Sequence, residues 1–258
     1  MMIEKPEQFA PAYAAAFQDR GVVEAYRYRP PYPAEVFDIL VGLIEGGSGT
    51  VLDVGCGTGN IARPLVEHVE RVDAVDFSRG MIAQGRLLPS GDHLCLRWIH
   101  GRVEDAPLDP PYALVTAGES VHWMDWNVAL PRFREVLRPG GSIALVTHDT
   151  LPDPWSMLGA AIPRYRTDAG YRPYDVVSEL ERHGLFEKRG ERETTPVPWA
   201  PSIDDYIESY HSRAGFSRER MGAARAAAFD QEAKRVLLDA YGSGPILLQV
   251  VGRVVWGI

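Results

Sequence analysis

From residue 50 onward the apolar positions fall into short runs: "TVLDV" (50–54), "RVDAV" (71–75), "LCLRWI" (94–99), "YALVTA" (112–117) and "SIALVTH" (142–148). Runs of this length, bounded by Gly, Pro or Asp, predict strands. Between them, 60–69, 78–87 and 127–137 carry apolar residues at helical spacing. Strands alternating with helices predict a parallel sheet covered on both faces. Upstream, 7–19 and 33–45 read as amphipathic helices separated by "AYRYRPPYP", whose prolines hold the backbone extended or turned. Beyond 149 the alternation stops. "PWSMLGAAIPRYRTDAG", "YDVVSELERHG", "SIDDYIESYHSR" and "ERMGAARAAAFDQEAKRVLLDAYG" are helix-like, with one strand candidate at 186–197, and "PILLQVVGRVVWGI" closes the chain as an apolar strand. The expected plan is one α/β domain: an N-terminal helical cap (1–47), a core (48–149), a helical lid with the sixth strand (150–245) and a final strand (246–258).

Residues 51–62, "VLDVGCGTGNIA", run from a strand through Gly55, Gly57 and Gly59 into a helix. Glycines suit a backbone that turns sharply against a ligand. The sixth position from Gly55 is Asn60, where a dinucleotide loop has glycine, which weakens a nicotinamide site. Asp53 places a carboxylate before the loop, suited to a ligand's positive amino group. Asp76 lies 23 residues on and ends the second strand, where an acid accepts hydrogen bonds from both ribose hydroxyls. A ribose, an amino-acid end and no phosphate together describe S-adenosylmethionine (SAM).

Composition narrows the partners. A chain of 258 residues, 45% hydrophobic, can bury a large core, and 27 Lys+Arg against 35 Asp+Glu give a charge of -8, unsuited to nucleic-acid phosphates. Cys56 and Cys95 are too few for a disulfide framework and lie in no zinc spacing, so a reducing cytoplasmic setting and no metal are expected. The first residues put an acid and a proline where a signal peptide has its apolar core. No run reaches the roughly 18 apolar residues of a membrane helix. A soluble monomer or homodimer, acting on a small molecule away from nucleic acid and membrane, is the expectation.

The glycine loop "VLDVGCGTGN", Asp76 after the second strand and "VLRPGGSIAL" before the fifth together resemble class I SAM-dependent methyltransferases, clearly over 28–150. "YRPPYP" (28–33), "GRVEDAPL" (101–108) and "AGESVHWMDW" (117–126) are similar to the small-molecule, methyltransferase type 11 branch that includes trans-aconitate methyltransferase-like enzymes. The resemblance implies a Rossmann-like, doubly wound, mostly parallel seven-stranded sheet with SAM as cofactor. It implies that Asp53 and the backbone of Gly55 and Gly57 hold the methionine part, with Asp76 on the ribose. Phe77 and Met81 would flank the adenine, and Gly101 to Glu104 would read its edge through the Val103 backbone. Relatives often carry Asp where this chain has Arg102, and an arginine, having donors only, cannot accept a bond from the adenine amine.

Ligands of open α/β sheets bind beyond the carboxyl ends of the strands, and Ala117 to Glu119 end the fourth, so "AGESVHW" faces the reacting methyl. His122 is the candidate base for a hydroxyl, phenol or amine; the alternative is that His122 and Trp123 pack under the loop and orient it. A carboxylate acceptor needs no base, and arginines then become informative: Arg27, Arg29, Arg164, Arg166 and Arg172. Tyr13, Tyr26, Tyr28, Tyr32 and Trp155 add aromatic surface to the same segments. The expected acceptor wall is Tyr13, Arg29, Trp123, His148 and Trp155, with His148 and Asp149 a second acid/base candidate. The expected reaction is methyl transfer to an oxygen of a metabolite or natural product. N- or C-methylation, a nicotinamide oxidoreductase and a noncatalytic SAM-binding protein are the alternatives. "DPPY" (109–112) matches the active-site tetrapeptide of base-amine methyltransferases. It enters the fourth strand instead of leaving it, roughly 16 Å or more from the reacting end at about 3.3 Å per residue, and is expected to be a turn.

Overall fold

The computed structural model describes residues 5–168, 172 and 174–258. The head of the chain and the end of the helix-like segment 154–170 fall outside the described residues. The strands are β1 (Thr50–Val54), β2 (Arg71–Asp76), β3 (Leu96–His100), β4 (Tyr112–Gly118), β5 (Leu137–Leu151), β6 (Lys188–Glu193), β7 (Val197–Trp199) and β8 (Leu248–Gly257). They form one sheet in the order β3-β2-β1-β4-β5-β8-β6, with β7 also paired to β8. Strands β1 to β5 pair in parallel, whereas β8 runs antiparallel to β5, β6 and β7. The sheet thus has eight strands among the described residues where seven were expected. The candidate at 186–197 splits: Pro196 has no N–H to give a ladder, and β6 and β7 pair separately along β8.

Alternation along each strand sends side chains to two faces. Leu52 and Val54 join Trp126, Leu130 and Phe133 of helix Trp126–Val136 in one core, while Val51, Val72 and Leu114 meet Val36, Leu40 and Leu65 in another. Helices therefore cover both faces. A third core, built from Ile203, Tyr206, Tyr210, Phe229 and Leu237, holds together helices Ile203–His211 and Ala223–Tyr241 of the segment expected as a lid. The cap is not the single helix expected over 7–19. Ala10, restricted by the following Pro11, is extended, as is Asp19, so the segment breaks into short turns. Val22 and Val23 of the cap pack on Met81, and Ser78 Oγ donates to the Phe17 carbonyl at 2.8 Å, which seats the cap over the end of β2. Among the described residues no helix is long and apolar enough to cross a membrane.

The "DPPY" turn sits at the amino end of β4 and is tied into a buried ionic cluster. Tyr112 Oη donates to Asp73 Oδ2 at 2.6 Å and accepts from the Asp109 N–H at 2.9 Å. Asp73, fully buried, also takes a two-pronged contact from Arg97 at 3.0 and 2.6 Å, and Arg71 reaches the Asp109 carboxylate at 2.9 Å. The tetrapeptide is a structural pin below the sheet. Tyr112→Phe is expected to lower stability by about 1–3 kcal/mol, because Asp73 and the Asp109 amide each lose a partner. Chemical denaturation with SAM titration alongside checks this: a loss of ligand binding without a loss of stability would refute the assignment.

Candidate active site

A cavity of about 260 Å³ opens beyond the carboxyl ends of β1, β2 and β4. Gly55, Gly57, Asp76, Phe77, Met81, Val103 and Glu104 line it from the core, together with Gly118, Glu119, Ser120, Trp123 and Met124. The cap roofs it with Pro11, Ala14, Phe17, Tyr26 and Arg29. A smaller recess adjoins it, lined by Tyr32, Asp53, Asn60 and His148 and sharing Tyr26, Arg29, Gly55, Gly118 and Glu119 with the main cavity.

The loop needs its glycines. Gly55 and Gly57 have φ of 63° and 55°, in the left-handed region where an L side chain is strained. A Cβ on Gly55 would stand 2.6 Å from Ser120 Cβ, and one on Gly57 would stand 3.2 Å from the Tyr26 hydroxyl, so chain and roof close on this loop with no side chain between.

Two carboxyls end the first strands. Asp76 is buried; its oxygens accept from Gly57 N at 2.8 Å and Ser78 N at 2.7 Å. Burial raises its pKa to about 6 against the pull of those two bonds. Asp53, also buried, accepts from Thr116 Oγ1 at 2.9 Å through Oδ1 and is steadied by the Ala62 backbone N–H, while its Oδ2 makes no hydrogen bond of good geometry among the described residues. Burial lifts Asp53 to about 7 despite the Thr116 and Ala62 contacts. A buried carboxylate oxygen without a well-formed hydrogen bond thus stands beside the glycine cradle.

At the wall expected to meet the adenine, Glu104 Oε1 accepts from Asp125 N at 2.8 Å and pairs with Arg102 at 3.0 Å. Arg102, the departure from the family pattern, is thus turned onto Glu104. Ala117, expected at the cofactor, is buried in the sheet core, and its neighbours Gly118 and Ser120 line the cavity in its place.

The acceptor side differs more from expectation. His122 is absent from the lining of both hollows. Its ring packs against Phe9 at 4.7 Å and Trp123 at 4.9 Å, and burial lowers its pKa to about 4, leaving it a weak proton acceptor at neutral pH. Trp123 does line the cavity, edge-on to Phe17. Tyr13 lines neither hollow. Trp155 stacks on Tyr210 at 5.1 Å within the lid core, with Arg213 over its ring. Of the arginines, Arg164 pairs with Glu232 and Arg166 with Asp168, and Arg27 lies over Tyr28. Only Arg29 of that set reaches the cavity; its guanidinium donates to the Ser212 hydroxyl and carbonyl, each at 2.9 Å, and lies 3.8 Å from Glu119.

Glu119, which strand patterning marks only as an end point, stands where the two hollows meet. Its backbone is left-handed at φ 49°, uncommon for a residue with a side chain, and Oε1 is 3.4 Å from His148 Nδ1. Burial alone would raise its pKa, yet the net shift is downward because His148, Arg29, Arg213 and His122 surround it.

Residues 51–141 match the methyltransferase domain family. An uncharacterized methyltransferase of Mycobacterium tuberculosis is 39% identical over 129 residues, 49% of this chain and 50% of that one. The malonyl-[acyl-carrier protein] O-methyltransferase of Pectobacterium atrosepticum is 31% identical over 167 residues, 58% of this chain and 60% of its own. The chain therefore spans about half the length of the curated relatives it matches. A solved structure from Anaeromyxobacter dehalogenans, provisionally described as a type II methyltransferase, superposes with a TM-score of 0.65 at 25% identity, over 89% of this chain and 96% of that one.

Proposed function

We propose that the chain, whose residues 51–141 match the methyltransferase domain family, is a class I SAM-dependent methyltransferase that transfers a methyl group from SAM to an oxygen of a small molecule. The observation that carries this is the cavity at the carboxyl ends of β1, β2 and β4, with a glycine cradle on one side and an orphaned carboxylate oxygen close by. The residues fit the ligand. Asp53 Oδ2 would take the ammonium of the methionine part, and Gly55 and Gly57 would let its backbone lie close. Asp76 has further lone pairs for the ribose hydroxyls while keeping its bonds to Gly57 and Ser78. Phe77 and Met81 would sandwich the adenine, and the Val103 backbone would meet its edge. Arg102, held on Glu104, leaves the adenine amine to the backbone. SAM supplies an electrophilic methyl on a sulfonium, so the protein's work is alignment and exclusion of water. The cap does this, with Phe17 and Tyr26 over the cavity and Arg29 fastened to the lid through Ser212.

Similarity to an O-methyltransferase supports oxygen as the acceptor atom. Calorimetry with SAM and with NAD tests the cofactor. SAM binding at micromolar affinity without NAD binding is expected; the reverse would overturn the proposal. A screen of hydroxylated and carboxylated metabolites, scored by S-adenosylhomocysteine release, then tests turnover.

A further inference from the structure

The recess beside the main cavity, which Asp53 and Gly55 also line, holds a buried histidine that has no part in the cofactor contacts described above. His148 leaves β5 with its side chain 10% exposed, edge-on to the Tyr32 ring at 5.0 Å. Its Nδ1 is sealed from solvent without a formed hydrogen bond, and Glu119 Oε1 lies 3.4 Å from it. With Nδ1 sealed against Glu119 and the ring lining the recess, Nε2 is the nitrogen left for a ligand. Asp149, the next residue, alternates to the other face of β5 and is exposed. Glu119 itself is aimed into the junction by its left-handed backbone, and it borders both hollows.

Resting on the methyltransferase function above, we propose that His148 Nε2 is the group that removes the acceptor's proton, that Glu119 is its positioning residue, and that the acceptor is therefore a hydroxyl or phenol. A carboxylate, already ionised at neutral pH, would need no such pair. Glu119 holds the proton of the imidazole on Nδ1, which leaves the Nε2 lone pair free. As the oxygen–methyl bond forms, the methyl–sulfur bond breaks with its electrons kept by sulfur, and the acceptor's O–H proton moves to Nε2. The imidazolium so formed lies beside the Glu119 carboxylate. Tyr32, whose phenol burial keeps protonated, borders the same recess and can donate to the acceptor oxygen. The other charged or titratable groups facing the pair are Arg29 and Tyr26 from the cap, Asp53 from β1, Cys56 from the glycine loop, and Arg213 and His122.

The test begins with ¹⁵N NMR of the histidine rings in the full chain at slightly alkaline pH. The Nδ1–H tautomer at His148 is expected in the wild type, with Glu119→Gln shifting the ring toward a tautomer mixture. An Nε2–H tautomer in the wild type, or a tautomer indifferent to Glu119→Gln, would overturn the proposal whether or not an acceptor is in hand. Calorimetry on the same samples separates the two levels: failure of SAM binding would defeat the parent function, not the tautomer assignment. With the acceptors turned over in the metabolite screen, His148→Gln is expected to cut kcat on hydroxyl or phenol substrates on the order of 10²-fold or more, with KM for SAM unchanged. Unchanged kcat on such a substrate, or turnover of carboxylates alone by the wild type, would also refute it.

Discussion

Asp76→Ala is expected to lower affinity for SAM on the order of 10²-fold or more. Two charge-assisted bonds to the ribose would be lost together, each worth about 1.5–3 kcal/mol, and every 1.4 kcal/mol is a factor of ten. The change also strips Gly57 N and Ser78 N of their acceptor, and those two amides fix the glycine loop and the start of helix Arg79–Gly85. The apo protein should suffer less than the complex. Removing a carboxyl whose pKa burial has raised to about 6 relieves a buried charge at neutral pH, which offsets part of the lost bonding. Calorimetry with SAM, paired with thermal unfolding of the apo chain, distinguishes the two effects. SAM affinity within threefold of wild type in a folded variant would remove Asp76 from the ribose site.

The parts of the site that were legible in the sequence are those fixed by backbone conformation. Gly55 and Gly57 must adopt positive φ, Asp53 and Asp76 must stand at strand ends, and both constraints write themselves as residue type at fixed spacing. The same logic identified "DPPY" as the entry to β4, although its bond network with Asp73, Arg71 and Arg97 depends on a neighbouring pair of strands and has no local signature. Side-chain direction was not legible. His122 follows β4 closely, as a base would, but the short helical turn Val121–Trp123 lays its ring on Phe9, a cap residue more than a hundred positions earlier. Trp155 belongs to a lid core completed by Tyr210 and Phe216, contacts between segments whose mutual packing no periodicity encodes. Glu119 was hidden for a further reason: a positive φ on a glutamate is disfavoured by local sterics, so the residue type gives no warning of it. The eighth strand arose similarly, since register along β8 decided how the 186–197 segment divided.

Asp53→Asn is expected to push stability and binding in opposite directions. The folded-state pKa of Asp53 is raised from an ordinary 3.8 to about 7 by burial. A raised carboxyl pKa means that the native state is favoured with the proton on. Its stabilising share is complete below pH 3.8 and is lost as pH climbs through about 7, where the folded chain must carry a buried, half-bonded carboxylate. At 1.36 kcal/mol per pH unit the loss approaches about 4 kcal/mol as an upper bound. Asparagine keeps an oxygen for Thr116 Oγ1 and carries no charge, so the apo variant should melt several degrees above wild type at pH 8, at about 2–4 °C per kcal/mol, and gain roughly a third as much at pH 5. For SAM the sign reverses. The ammonium loses the carboxylate that offsets its desolvation, and affinity at pH 8 should fall at least tenfold. Wild-type affinity should itself rise between pH 6 and 8 as Asp53 ionises, while the variant should lack that slope. Differential scanning calorimetry at both pH values and SAM titrations across the range measure each half. A variant destabilised equally at pH 5 and pH 8 would show that Asp53 holds the loop together by hydrogen bonding, and not that its charge is kept in reserve for the cofactor.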